Sequence, residues 1–189
     1  MARIRMALQI PNFTYPDTPP AQLFERIAGA ARAAEAAGFD AVFVMDHFYQ
    51  LPMLGPVHHE MLEAYPLLGA LAVSTSRVRL GTLVAGNTYR NPAHFAKIVT
   101  TLDVVSRGRA ILGIGAGWFE PEHQGYGFDF PPIGERLSRL DEALQIIRAM
   151  LRGEKPTFEG RSPRSMPRMS CSASSSRDRR SPIGGKSKP

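Results

Sequence analysis

Short apolar segments alternate with longer helix-forming segments four times along the first 152 residues, and this alternation constrains the fold more than any other feature. The short segments are 4–10, 40–47, 77–86 and 109–117, and their length predicts strands. The longer segments are 21–38, 61–74, 91–105 and 134–152, and we expect helices there; in all but 61–74 the apolar residues fall on one face. Nearly continuous apolar strands are typical of a parallel sheet covered on both faces by crossover helices. The sequence therefore predicts an α/β fold built from four β-α units.

Two architectures fit four such units. One is an open doubly wound sheet, and the other is a (β/α)8 TIM barrel. A complete barrel needs eight units and about 250 residues, so four units correspond to the N-terminal half of a barrel. The repeating pattern stops near residue 160, which predicts a partial barrel domain over residues 1–160.

The composition changes abruptly after Gly160. Residues 161–189 contain nine serines, four prolines, eight basic side chains and one acidic side chain, without apolar periodicity. Such a segment buries too little apolar surface to offset the entropy of ordering, which predicts a disordered, basic tail. The net charge of +6 comes from this tail, so it does not predict a nucleic-acid partner for the domain. The same break leads us to expect a truncation or a frameshift after Gly160.

The sequence argues against three classes for this protein: disulfide-rich, membrane-bound and metal-dependent. Cys171 is the only cysteine, which rules out an internal disulfide framework and a zinc site built on cysteines. No segment reaches the ~18 apolar residues of a membrane span, and the N-terminus is a poor secretory signal, so we expect a cytoplasmic protein without a membrane partner. His58, His59, Glu60 and Glu63 match no zinc spacing, and we expect a solvated loop there and no bound metal.

Asp46 and His47 form the most polar strand end in the chain. Ligands of parallel α/β folds bind beyond the C-terminal ends of the strands, so this pair is a candidate site. Histidine is the usual proton shuttle near neutral pH, and we expect the adjacent carboxylate to influence its charge. A capping aspartate and a histidine packed beneath a loop are the alternative interpretation.

The fourth strand ends in the glycine-rich segment 113–117. This segment is a weak match to a dinucleotide-binding loop, because Trp118 or Glu120 stands at the sixth position and we expect residues 121–132 to be non-helical. Its glycines allow either the close approach of a flat ligand or tight packing at a barrel corner. The aromatic residues between positions 118 and 130 either line a substrate pocket or cover the barrel mouth.

Four stretches together resemble the luciferase-like monooxygenase superfamily, and within it the branch that depends on coenzyme F420. They are GFDAVFVMDHF, RVRLGTLVAGNTYRNPAHFAK, TLDVVSRGRAILGIGAGWFEPEH and GFDFPPIGERLSRLDEALQIIRAML, and the resemblance covers residues 3–160. It implies a TIM barrel that binds a deazaflavin, coenzyme F420, or alternatively the flavin FMN, at its C-terminal face. It also implies an oxidoreductase that transfers hydride between that cofactor and a small organic substrate.

The resemblance also implies site residues. His47 matches the catalytic acid or base of the family, and Asp46 matches a residue beside the cofactor. The other cofactor-binding residues match the ends of the third and fourth strands: Val84, Ala85, Gly86 and Asn87, followed by Ala116, Gly117 and Trp118. In the family the first of these stretches forms a bulge, often with a non-proline cis peptide.

Two positions depart from the sugar-phosphate-oxidising members of the family. Leu51 stands where those members have a tryptophan, and Trp118 stands where they have an acidic residue. We therefore do not expect a sugar-phosphate substrate. The later strands that bind the cofactor's phosphate in the family have no match before residue 161. An FMN-dependent monooxygenase and a noncatalytic half-barrel fragment that associates with a second copy are the alternatives.

Overall fold

The computed structural model describes residues 4–155 and the backbone of two short strands at 157–158 and 169–170. Thr157–Phe158 pairs antiparallel with Met169–Ser170. The predicted disordered tail at 161–189 and the expected change after Gly160 otherwise lie outside the described residues, so both stay predictions.

The described part of the chain is an α/β structure with parallel strands, as predicted. Its strands are β1 (Ala7–Ile10), β2 (Ala41–Val44), β3 (Arg79–Thr82), β4 (Ala85–Gly86), β5 (Ala110–Ile111), β6 (Ile114–Gly115), β7 (Thr157–Phe158) and β8 (Met169–Ser170). Its helices are α1 (Leu23–Ala36), α2 (Ala64–Ser74), α3 (Pro92–Val105), α4 (Glu120–Tyr126) and α5 (Ile133–Leu151), and a 3-10 turn at Pro20–Gln22 precedes α1. Strands β1, β2, β3 and β5 form one parallel sheet in that order, and β4 pairs with β6 in parallel. None of the described helices combines the length and apolar character of a membrane-crossing helix.

The predicted third strand is interrupted at Leu83-Val84, where the peptide bond is cis. Before the interruption, Leu83 N–H donates to Val44 O of β2 at 3.1 Å. Beyond it, Ala85 N–H donates to Gly113 O on the opposite side at 2.9 Å. Residues two apart in a regular strand donate to the same neighbour, so this reversal identifies a bulge. The prediction of one continuous strand over 77–86 is therefore wrong, whereas the bulge and cis peptide implied by the resemblance are confirmed.

The predicted fourth strand is also interrupted, opposite the break in the third strand. The predicted strand over 109–117 is divided into β5 and β6, which pair with β3 and β4 respectively. The segment between them, 112–113, faces the bulge of the third strand. The break in the third strand is thus matched by a break in the strand that pairs with it.

The core lies between the sheet and its helices. The predicted apolar face of α1 is confirmed, because Leu23, Ile27, Ala31 and Ala34 are all buried. The helix α3 begins as predicted at Asn91-Pro92, where the Asn91 side chain accepts from the N–H groups of Ala93 and His94. The largest fully buried apolar side chains of the sheet and its helices are Ile27, Val42, Val44, Leu68, Leu71, Leu80, Ile146 and Ile147.

Helix α5 buries a different face from the predicted one. The predicted stripe runs through Leu137, Leu140, Leu144, Ile147 and Leu151, but of these only Ile147 is buried and Leu137 is 53% exposed. The buried face is formed by Glu142, Ala143, Ile146, Ile147 and Met150. Among the described elements helix α5 packs most extensively on α3, and this packing accounts for the buried face. Leu140, Leu144 and Leu151 are half-buried.

Residues 121–132 contain a helix that the sequence did not predict. Helix α4 spans Glu120–Tyr126, and Pro121 occupies its first turn, where the fixed φ of proline suits a helix. Gly127 ends the helix with a φ of 72°. The prediction that this segment is non-helical is therefore wrong, and the error affects the site, because α4 carries Glu122.

Candidate functional site

Three strand ends meet on one side of the sheet and bring several predicted residues together. The residues after β2 lie against the bulge of the third strand, where Gly86 N–H donates to Asp46 Oδ2 at 2.9 Å. The residues after β6 lie against the same segment, because the His47 and Trp118 ring centroids are 5.9 Å apart. The C-terminal ends of parallel strands are where this class of fold places its ligands.

His47 is held by contacts on three sides. Its Nδ1 lies 2.9 Å from Glu122 Oε2, and its side chain is 13% exposed. Its ring meets the rings of Trp118 and Phe119 edge to face, at centroid distances of 5.9 and 6.0 Å. One end of the imidazole is therefore fixed by a carboxylate, while part of the ring remains accessible.

Glu122 is the central polar group of the site, and the sequence did not single it out. It is completely buried. Its Oε1 accepts from the N–H groups of Phe48 at 2.6 Å and Tyr49 at 2.9 Å, and its Oε2 accepts from the Tyr89 hydroxyl at 2.6 Å. Burial by itself raises the pKa of Glu122, but the hydrogen bonds from His47, Tyr49 N–H and Tyr89 outweigh that effect and lower it. Glu122 is therefore an ionised carboxylate in a closed network.

Tyr89 supplies the hydroxyl of this network. Burial raises the pKa of Tyr89, and its hydrogen bond to the Glu122 carboxylate raises it further. The phenol consequently keeps its proton, and its O–H donates a hydrogen bond to the Glu122 carboxylate.

Asp46 has a different environment from its neighbour His47. Its carboxylate is 1% exposed and accepts from both Arg90 terminal nitrogens, at 2.7 and 2.8 Å, in addition to Gly86 N–H. Arg90 also pairs with Glu63, and its guanidinium lies 5.0 Å above the Tyr65 ring. Burial lowers the pKa of Arg90, but its hydrogen bonds to Asp46 and Glu63 outweigh that effect and raise it. Asp46 thus connects the residues after β2 to the bulge and to Arg90.

The bulge itself presents an apolar surface. Leu83 and Val84 are 49% and 44% exposed, whereas Ala85 and Asn87 are buried. Behind Val84 lie glycines of the fourth strand: a Cβ on Gly113 would come within 2.6 Å of Thr82 O, and one on Gly115 within 3.0 Å of the Val84 side chain. At these two positions the glycines serve the packing of strand against strand. Val84 and Trp118, which is 55% exposed, are the most accessible of the predicted cofactor residues, and Gly86, Ala116 and Gly117 are half-buried.

Two of the aromatic residues for which the sequence predicts either a pocket-lining or a mouth-covering role, Tyr126 and Phe128, form a cluster with Phe48 and Tyr89. Phe48 packs on Tyr126 and Phe128 at centroid distances of 4.6 and 5.8 Å. Tyr89 contacts Phe48 and Phe128 as well, at 4.8 and 5.4 Å. Through the Tyr89 hydroxyl this cluster contacts the Glu122 carboxylate, which is completely buried.

The described residues contain no group of three or more His, Cys, Asp or Glu side chains arranged to hold a metal ion. His58 and His59 contact each other edge to face at 5.5 Å in the loop before α2.

Comparison with known proteins adds three similarities. The chain is 41% identical over 128 residues to an F420-dependent glucose-6-phosphate dehydrogenase of Microbacterium testaceum, an alignment that covers 67% of this chain and 37% of that protein. A solved F420-dependent secondary alcohol dehydrogenase in complex with an F420-acetone adduct matches with a TM-score of 0.69 and 25% identity, covering 91% of this chain and 48% of that one. The FMN-bound oxygenating constituent of 3,6-diketocamphane monooxygenase from Pseudomonas putida matches with a TM-score of 0.67 and 20% identity, covering 83% and 42%, which shows a shared fold.

The chain spans less than half the length of these relatives. Its match to one family extends from residue 3 to residue 183, beyond the predicted domain boundary at Gly160. A match over nearly the whole chain shows that this protein belongs to the luciferase-like monooxygenase family.

Proposed function

We propose that this chain carries the proton-transfer side of an F420-dependent oxidoreductase, which transfers hydride between the deazaflavin and a small organic substrate. The observation that carries the proposal is the His47–Glu122 pair, at 2.9 Å, next in sequence to Asp46, which accepts from Gly86 N–H of the bulge. An imidazole held by a buried carboxylate is an arrangement suited to general acid–base chemistry. The F420-dependent dehydrogenase that is 41% identical supports the choice of cofactor.

The described residues fit a flat tricyclic group. The bulge presents the half-exposed Val84 side chain, and the glycine at position 115 lets the fourth strand lie directly behind it. Val84, Gly86, Ala116, Gly117 and Trp118 would hold the ring, with Asp46, Ala85 and Asn87 fixing the backbone from the buried side. When bound, the deazaflavin supplies a site that accepts or returns a hydride.

His47 provides the proton chemistry that hydride transfer requires. When a hydroxyl-bearing carbon of the substrate loses hydride, its O–H must also lose a proton, and His47 takes that proton. In the reverse direction the imidazolium returns it. For this transfer the substrate hydroxyl must lie within hydrogen-bonding distance of the exposed part of the ring. Proton transfer by a side chain positioned in this way raises reaction rates about 10²–10⁴-fold.

The proposal stops at a small organic substrate and does not extend to a sugar phosphate, although the relative quoted above oxidises glucose 6-phosphate by name. Leu51 is buried against Met45 and Phe119, so its position offers no polar or aromatic surface to a sugar. Trp118 places an indole where the sugar-phosphate-oxidising members have an acidic residue.

FMN is the second candidate cofactor. It shares the planar tricyclic shape that the bulge fits, and the solved structure with the same fold contains FMN. If FMN binds in place of F420, the alternative function is an FMN-dependent monooxygenase.

Cofactor binding by the chain as it exists tests the proposal. Both cofactors are fluorescent, so each is titrated separately with purified protein; we expect micromolar affinity for F420 and weaker binding of FMN. Val84→Asp places a charge on the apolar bulge and should weaken F420 binding roughly ten-fold or more. Val104→Asp is the matched control, because Val104 is 46% exposed on α3 and Val84 is 44% exposed.

The outcomes separate the three functions. Tighter binding of FMN would favour the monooxygenase, and binding of neither cofactor would favour the noncatalytic fragment. Equal losses in the Val84 and Val104 variants would contradict the assignment of the bulge as the cofactor surface.

A further inference from the structure

We infer that Glu122 is the positioning residue of His47: it fixes the imidazole in the tautomer that carries hydrogen on Nδ1 and leaves Nε2 as the atom that exchanges the substrate proton. The task of Nε2 rests on the proposed function. The tautomer does not, because it follows from hydrogen bonds within the protein.

The assignment begins with the donors around Glu122. Two of its contacts, at 2.6 and 2.9 Å, come from the backbone N–H groups of Phe48 and Tyr49, which can only donate. These two bonds occupy Oε1. Oε2 faces the Tyr89 hydroxyl at 2.6 Å and His47 Nδ1 at 2.9 Å. An ionised carboxylate can only accept, so both of these neighbours must donate to it.

The direction of the proton at Tyr89 agrees with this assignment. The pKa of Glu122 is lowered and the pKa of Tyr89 is raised, so the shared proton stays on the phenol. Glu122 is therefore a carboxylate whose fourth acceptor site faces His47 Nδ1. A lone pair on Nδ1 would repel it, whereas an Nδ1–H completes the set.

Asp46 cannot perform this role, although it is adjacent to His47 in sequence. Its carboxylate is occupied by Arg90 and by Gly86 N–H. The expectation that the adjacent carboxylate acts on His47 is therefore replaced: the acting carboxylate is Glu122, 75 positions along the chain. Trp118 and Phe119 contact the imidazole edge to face.

The same geometry predicts that the tautomer of His47 reverses in the variant Glu122→Gln. In Glu122→Gln the amide oxygen must still accept from the Phe48 and Tyr49 N–H groups. Its NH2 group then faces His47, and because this group can only donate, it requires a lone pair on Nδ1. The imidazole hydrogen must move to Nε2. A merely structural role for Glu122 predicts no such exchange.

Nitrogen-15 NMR of histidine-labelled, cofactor-free chain measures the tautomer directly, and His47→Gln assigns the signal among the five histidines. We expect neutral His47 to carry hydrogen on Nδ1 in the wild type and on Nε2 in Glu122→Gln. Tyr89→Phe removes the other donor from Oε2 and should retain the Nδ1–H form. Glu120→Gln, on the exposed side of the same helix, is the matched control.

Two results would overturn the inference: an Nε2–H tautomer in the wild type, or an unchanged tautomer in a Glu122→Gln variant with native circular dichroism. If Glu122→Gln does not fold, the wild-type and Tyr89→Phe spectra still decide the question. If the chain turns over substrate, Glu122→Gln should lower kcat by roughly 10²–10⁴-fold with little change in KM. An Nδ1–H tautomer without cofactor binding would support the positioning role while refuting the proposed function.

Discussion

Individual carboxylates join distant segments of this chain by accepting several N–H donors at once. Glu122 connects α4 to the residues after β2, and Asp46 connects β2 to the bulge. Glu35 does the same at the opposite end of the sheet: it lies near the C-terminal end of α1 and accepts from the N–H groups of Ser76, Arg77 and Val78. These side chains substitute for backbone pairing where the chain changes direction.

Glu35 makes folding stability depend on pH. Burial by itself raises its pKa, but the N–H groups of 76–78 outweigh that effect and lower it from its ordinary value of 4.5 to about 2. A lowered carboxyl pKa stabilises the folded state fully above about pH 4.5, and this contribution is lost as pH falls toward 2. Relative to Glu35→Gln, the wild type should lose about 1–2 kcal/mol of unfolding free energy over that range.

Urea unfolding at a series of pH values measures this difference. Glu25→Gln is the control, because Glu25 lies on the same helix but pairs with Arg32 at the surface. Parallel pH profiles for the wild type and Glu35→Gln would show that Glu35 does not contribute.

At the scale of single residues, the sequence predicted the strand-end pair Asp46-His47 but not its partners. A polar pair after an apolar run is a local signal. Glu122, Tyr89 and Arg90 reach this pair only through tertiary structure, and Glu122 lay in a segment expected to be a loop. Their roles depend on distances that no spacing in the sequence encodes.

At the scale of elements, the bulge of the third strand determines the shape of the site. At this bulge the N–H groups of Ala85 and Asn87 donate to carbonyl oxygens of the fourth strand, and the Val84 side chain is 44% exposed. The existence of the strands followed from apolar runs and turn residues, and the bulge followed from family resemblance alone. Hydrophobicity does not reveal a change of hydrogen-bonding partner, so the breaks between β3 and β4 and between β5 and β6 were not predicted from the pattern.

Gly113→Ala should disturb this element. The added Cβ would lie 2.6 Å from the backbone carbonyl oxygen of Thr82, which cannot move without shifting β3. We expect a loss of about 1–3 kcal/mol in unfolding free energy and weaker F420 binding. Gly29→Ala is the matched control: this glycine lies within α1 with no atom within 4 Å of its added Cβ, so the change should stabilise by about 0.5–1 kcal/mol. Equal effects of the two substitutions on denaturation would contradict close packing at Gly113.

At the scale of the whole molecule, four β-α units leave apolar surface uncovered. In the sheet of β1, β2, β3 and β5, the two outer strands each pair on one side only among the residues that the structure describes. Helix α5 exposes 55% of Ile133 and 53% of Leu137. The luciferase-like relatives are more than twice as long as the part this chain matches. The fourfold periodicity predicted this arrangement, whereas the face of α5 that is buried depends on which neighbour is present.

Uncovered apolar surface of this kind favours association with a second copy. We predict that the purified chain forms concentration-dependent oligomers in sedimentation experiments, and that Leu137→Lys shifts the distribution toward monomer because a lysine cannot be buried in an apolar contact. Val73→Lys is the comparison, since Val73 is 76% exposed on α2, a different outer helix. If Val73→Lys dissociates the oligomer and Leu137→Lys does not, the contact surface lies on α2 and the assignment to α5 is wrong. A monomeric wild type at all concentrations would show that the uncovered face of α5 does not drive association.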